Sequence, residues 1–161
     1  MKYIKATTAI EYGRYGKPWL AICVDRLTTG FRFIRWDGRP NECGEFEFEV
    51  DPGTLLASGT CGKGIDGYHL AMPDGALVDL YDDMAHKLRR LPVADRSCGL
   101  VRLSQDDLTR LRKQKQQYDS RIANGGGKNV LLLTALRSAT ERIDYAEWVI
   151  ARWASLVEVA A

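Results

Sequence analysis

Two histidines, five prolines and not one Cys-x-x-Cys pair leave this 161-residue chain short of the residues on which most catalytic and metal signatures are built. No HExxH, GxSxG or HxE…CxxC pattern occurs, which removes the common metalloprotease, hydrolase and zinc-deaminase motifs. The four cysteines, Cys23, Cys43, Cys61 and Cys98, lie far apart. Reduced thiols in a cytoplasmic setting are therefore expected, rather than a disulfide framework. No apolar run approaches the roughly 18 residues of a membrane span. The opening Met1-Lys2-Tyr3-Ile4-Lys5 does not read as a secretory signal, and no membrane partner is expected. Strong charge is missing too. With 23 Lys+Arg against 21 Asp+Glu, the chain is neither an acidic nucleic-acid mimic nor a basic protein that coats nucleic acid by charge alone.

What remains is a composition that can fold. Hydrophobic residues make up 45% and charged residues 27%, enough for one compact domain or one domain with a helical appendage. The charge is unevenly placed. Residues 1–80 carry 9 basic and 11 acidic side chains, residues 81–128 carry 11 and 6, and residues 129–161 carry 3 and 4. Any polyanion contact should start in the basic middle third.

The first 80 residues read as β structure. Trp19-Leu20-Ala21-Ile22-Cys23-Val24 and Phe31-Arg32-Phe33-Ile34-Arg35-Trp36 are apolar, β-branched or aromatic runs. Glu45-Phe46-Glu47-Phe48-Glu49-Val50 alternates strictly, and Asp51-Pro52-Gly53 ends it. Pro73-Asp74-Gly75 between two apolar runs marks a hairpin. The remainder reads as helix: a short one from Asp82 to Arg90, one opening at an N-cap Ser104 with Asp106 and Asp107 in its first turn, and a last one after Asn124-Gly125-Gly126-Gly127. The fold class expected is α+β, a small antiparallel sheet or half-open barrel followed by a C-terminal α-helical hairpin. The expected divisions are a β-rich domain over 1–92, a linker over 93–103 and a two-helix region over 104–161.

The final segment carries the strongest pattern. Leu132, Leu136, Ala139, Ile143, Ala146, Ile150, Trp153 and Val157 alternate steps of four and three, which predicts one helix of about 45 Å. Leu108, Leu111, Lys115, Tyr118 and Ile122 offer a shorter, interrupted facing row, so the hairpin pairs them antiparallel with Leu108 near Ile143 or Ala146. Trp153 and Val157 would then project past the first helix and pack on the β domain or on a second chain, and of the two, homodimerisation through the stripe Ile143, Ile150, Trp153 and Val157 is expected.

Several constellations invite a chemical reading. Cys43, Cys61, Cys98 and His69 have the ligand types of a zinc site without its spacing, so neither a metal nor another cofactor is expected. Asp82-Asp83 reads as a helix start, and His86 as a solvated helix residue. Gly59 to Gly67 is rich in glycine and contains Lys63, yet Lys63 is followed by Gly64 rather than Ser or Thr, so the Walker pattern fails and only a weak anion cradle is left. Glu11-Tyr12-Gly13-Arg14-Tyr15-Gly16-Lys17-Pro18-Trp19 interleaves aromatics with cations, the residue types that stack a base or seat an acidic partner surface. The candidate contact residues are Arg14, Tyr15, Lys17, Trp19, Lys63 and His69. Arg110, Arg112, Lys113 and Lys115 form a basic helix face that either meets a polyanion or is simply solvated.

The segment 11–19 and the later Gly44-Glu-Phe-Glu-Phe-Glu-Val-Asp-Pro-Gly53 together resemble small uncharacterised proteins of phages and mobile elements. The likeness covers the first half and carries no assigned activity. It implies a phage-encoded accessory protein in the host cytoplasm, a non-enzymatic antagonist of a host defence system (anti-CRISPR-like or similar) that binds a host protein or protein complex. The alternatives are a nucleotide or nucleic-acid binder acting as a signal sponge, and a small enzyme built from scattered carboxylates and His69.

Overall fold

The computed structural model of the chain describes residues 2–7, 18–23, 45–60 and 64–158. The chain is α+β and divides into two compact units, residues 1–97 and 98–161. In the first unit, β1 (Lys2–Thr7) and β3 (Glu45–Val50) pair antiparallel, with Ile4 opposite Phe48. A second, antiparallel sheet holds β2 (Pro18–Cys23), β4 (Leu55–Thr60), β5 (Gly64–Ala71) and β6 (Leu77–Leu80) in the order β2-β4-β5-β6. The sheet is open, so the barrel alternative is set aside. Part of the glycine-rich stretch expected as a loop is strand instead. Gly59 and Thr60 belong to β4, Gly64 to Gly67 belong to β5, and the register slips once between Ser58 and Gly59. Small side chains leave ladder hydrogen bonds as their main contribution, and the slip is where glycine is tolerated. The second run, Phe31 to Trp36, lies outside the described residues.

Register explains the core of this unit. Leu55, Leu70 and Val78 stand directly opposite one another across β4, β5 and β6, and all three are buried. Pro73-Asp74-Gly75 makes the tight connection from β5 to β6, with Gly75 N–H donating to Met72 O at 2.9 Å. The short helix α1 (Asp82–Leu88) packs on β5 and buries Met84, Ala85 and Leu88. Each large apolar side chain removed from water there contributes about 1.5–3 kcal/mol.

A close backbone approach ties the unit together. Gly53 has φ +86°, and a Cβ added to it would sit 2.1 Å from Val93 O. Its N–H donates to Ala71 O at 2.7 Å. Arg96 is buried, donating from Nε to Leu88 O and Leu91 O at 3.1 Å each and from Nη1 to Gly53 O at 3.1 Å. One guanidinium thus binds carbonyls of the β3–β4 turn, of the last residue of α1 and of Leu91 three residues beyond it, groups costly to bury without partners.

The second unit is the helical hairpin. α2 (Arg96–Ala123) and α3 (Val130–Trp153) are joined through a 3₁₀ turn at Gly126–Lys128, and Gly125 takes φ +102° just past the end of α2. Leu111, Ala139 and Ile143 form its buried centre, with Leu108 and Tyr118 packed against them. The expected meeting of Leu108 with the Ile143 level is observed. Asn129 caps α3, its side-chain oxygen accepting from Leu132 N–H at 3.1 Å.

Three expectations in this region need correction. The proposed 93–103 linker is a 3₁₀ turn (Val93–Asp95) followed by the first two turns of α2. Ser104 is not an N-cap; it sits inside α2, fully buried, and its hydroxyl has no hydrogen-bond partner among the described residues. Burial of Leu100 and Val101 favours helix through a stretch that local capping signals would have left out. The single last helix is interrupted at Ala154, after which α4 (Ser155–Glu158) makes one more turn, and Cys98 Sγ donates to Leu156 O at 2.7 Å.

Gly53→Ala should destabilise the first unit by about 2 kcal/mol or more, because both the positive φ and the Val93 carbonyl oppose a Cβ. Urea unfolding followed by circular dichroism checks this, and a change below about 0.5 kcal/mol would show that the turn relaxes freely.

Candidate functional site

Of the residues expected to contact a ligand, Arg14, Tyr15, Lys17 and Lys63 lie outside the described residues. Trp19 lies in β2, paired with Gly59. His69 is half-buried on β5, and its Nδ1 lies 2.7 Å from Asp79 Oδ1 on the neighbouring strand. Asp79 has 89% of its side chain exposed, so the pair is a solvated cross-strand contact of small energetic weight. His86 lies beside Tyr68, ring centroids 6.0 Å apart. Among the described residues no group of three or more His, Cys, Asp or Glu side chains gathers as a metal site would require. No described helix is long and apolar enough to cross a membrane.

The basic face of α2 proves largely neutralised. Arg110 Nη2 meets Asp107 Oδ1 at 2.9 Å, Arg112 Nη2 meets Glu147 Oε1 at 2.8 Å, and Lys115 Nζ meets Asp119 Oδ2 at 2.8 Å. Arg110 thus pairs with Asp107 at i,i+3 on its own helix. Further along α2, Lys113, Gln116, Gln117, Tyr118, Ser120 and Arg121 line a shallow groove of about 480 Å³. Lys113 and Arg121 have no carboxylate partner among the described residues.

Asp107 organises the hairpin. It is buried, well inside α2 rather than in a first turn, and its two oxygens take Arg110 from the same helix and Arg142 Nη2 from α3 at 2.6 Å. A carboxylate held by two guanidinium groups gives charge-assisted hydrogen bonds with strong directional preference. With the Leu111–Ala139–Ile143 core, this fixes which face of α3 turns inward.

The inward face takes up half of the residues expected to dimerise. Ile143 and Trp153 are buried within one chain, Trp153 to 4% exposure, while Ile150 and Val157 are half-buried. The expected open stripe is therefore largely closed, because the inner face of α3 is covered along its length: Leu132, Ala139, Ala146 and Val149 are also buried.

Apolar surface stays open on the opposite face of α3. Val130 is 72% exposed, Leu133 42% and Trp148 46%. Tyr145, Trp148 and Arg152 follow at i, i+3 and i+7, so they share one side of the helix. Trp148 meets Trp153 edge-on at 5.1 Å and Tyr145 at 6.3 Å, and the Arg152 guanidinium lies 4.8 Å from the Trp153 ring centre and 5.9 Å from that of Trp148. Buried Trp153 thus backs an exposed Trp–Arg stack, a preorganised anchor of the kind that dominates protein interfaces. Alongside Trp148, Tyr145 and Arg152 stand outside the three-four apolar repeat that predicts the helix. Their shared spacing with Trp148 is the signal that finds them.

Asp107→Ala should cost about 2–4 kcal/mol, since partly buried Arg142 loses its short carboxylate contact and Arg110 loses its partner. Chemical denaturation measures it; a loss under about 0.5 kcal/mol would mean that apolar packing alone sets the hairpin. Comparison with known protein families, with curated proteins and with solved structures finds no match.

Proposed function

We propose that this chain is a non-enzymatic binding protein that works by protein–protein contact, with the outer face of α3 as its contact surface. The observation that carries the reading is the exposed Trp148, stacked by Arg152 and backed by buried Trp153. Tryptophan and arginine held rigidly at a surface lose little conformational freedom on docking, and desolvating them yields a large share of interface energy. The phage-type resemblance of the first half supplies the finer reading: an antagonist of a host defence system, acting in the host cytoplasm on a host protein or complex.

A second reading is favoured by one observation. The α2 groove leaves Lys113 and Arg121 available beside Tyr118 and two glutamine amides, groups suited to a nucleotide or a short stretch of nucleic acid. In that case Lys113→Ala with Arg121→Ala weakens binding of nucleotides or oligonucleotides and leaves protein partners unaffected.

The primary reading is tested by affinity capture from bacterial lysate with the unmodified chain and with Trp148→Ala/Arg152→Ala. Loss of the captured partner at least about tenfold, with unchanged helicity, is the expected result. Equal capture by both proteins removes the outer face of α3 from the contact surface.

A further inference from the structure

The outer face of α3 carries an internal symmetry. Val130, Leu133, Arg137, Glu141, Tyr145, Trp148 and Arg152 follow one another in steps of three and four, so they form one continuous stripe about 33 Å long at 1.5 Å per residue. All are exposed except Tyr145, which is half-exposed. Aliphatic residues mark one end, aromatic residues the other, and an ion pair lies between: Arg137 Nε meets Glu141 Oε1 at 2.9 Å, with 82% and 58% of the two side chains exposed.

If an identical helix is laid antiparallel on this face, with the two-fold axis at the level of Ala139, Val130 comes level with Trp148 of the other copy. Leu133 comes level with Tyr145, and Arg137 with Glu141. Each aliphatic group then meets an aromatic one and Arg137 meets Glu141, twice over, while Arg152 lies beyond the start of the other copy's α3. We infer that the outer face of α3 docks on the same face of a second copy of this chain, as an antiparallel, two-fold helix pair. This rests on the reading of that face as the contact surface and names its first partner.

The charge pattern singles out a second copy among possible occupants. An isologous interface requires a patch that is complementary to itself under a two-fold axis. A stripe aimed only at a foreign protein is under no such requirement. Here Arg137, Glu141 and both apolar ends satisfy it in one register, and a slip of one helical turn in that alignment separates Val130 from Trp148 and Arg137 from Glu141 together. The Arg137–Glu141 pair within each helix does not oppose docking, since both groups are solvated and can exchange partners at small cost. The dimer expected from the sequence moves in this way from the inner stripe of α3 to its outer one.

Sedimentation equilibrium on the full chain, from about 1 to about 200 μM, tests the inference with charge reversal. The unmodified protein should show reversible dimerisation. Arg137→Glu alone and Glu141→Arg alone each set like charges opposite one another in the homodimer and should weaken self-association at least about tenfold. An equimolar mixture of these two single variants should restore it as a heterodimer, because every cross-pair is then Glu against Arg. The double variant Arg137→Glu/Glu141→Arg should also restore it. The mixture separates docking from helix stability, since the intrahelical pair stays broken in both of its chains. A monomeric unmodified chain throughout the range overturns the inference, as does a dimer indifferent to both single reversals or a mixture that stays monomeric. If the chain is monomeric while Trp148→Ala/Arg152→Ala still loses a captured protein, the contact surface stands and self-docking falls.

Discussion

Asp107 is the constraint on which the second unit depends. A buried carboxylate cannot be left unpaired, and here it draws a guanidinium from each helix, Arg110 on α2 and Arg142 on α3. Arg142 precedes Ile143, so the polar contact and the apolar core set one rotation of α3. That rotation turns Leu132, Ala139, Ile143, Ala146 and Val149 inward. The positions half a turn away, from Val130 to Arg152, are consequently presented outward. The contact surface is therefore a consequence of how the hairpin closes.

The first unit shows the same logic with different chemistry. Arg96 donates to three backbone carbonyls, and Gly53 admits the Val93 carbonyl where any side chain would obstruct it. These contacts hold the β3–β4 turn against the end of α1, so the Leu55–Leu70–Val78 row stays buried. A guanidinium engaged by backbone carbonyls is a structural clamp, and in the His69–Asp79 pair Asp79 is exposed while His69 is half-buried.

Much of the fold was legible because its signals are local. Strict alternation identified β3, Pro73-Asp74-Gly75 identified the β5–β6 hairpin, and the three-four spacing identified both long helices together with the Leu108–Ile143 level. Elements that depend on distant partners were not legible. β1 pairs with a strand some forty residues away, and the end of β4 with the start of β5 reads as a loop because the glycines from Gly59 to Gly67 carry no apolar pattern. The start of α2 was hidden because Gly99 and the absence of a cap argue against helix while burial of Leu100 and Val101 argues for it. Asp107 resembled a first-turn acid for the same reason. The outer stripe of α3 escaped notice because its apolar members are separated by Arg137 and Glu141. A search for apolar repeats finds one face of a helix and passes over a mixed one.

A docking surface on the outer face of α3 and a permanent core on its inner face should respond differently to concentration. Hydroxyl-radical footprinting of the unmodified chain, dilute and concentrated, reads both faces in one measurement. The account predicts that Val130, Leu133, Tyr145 and Trp148 lose reactivity as concentration rises, while Ile143 and Trp153 are protected throughout. Trp148 reacting equally at every concentration, or Trp153 reacting as readily as Trp148 in dilute protein, would contradict it.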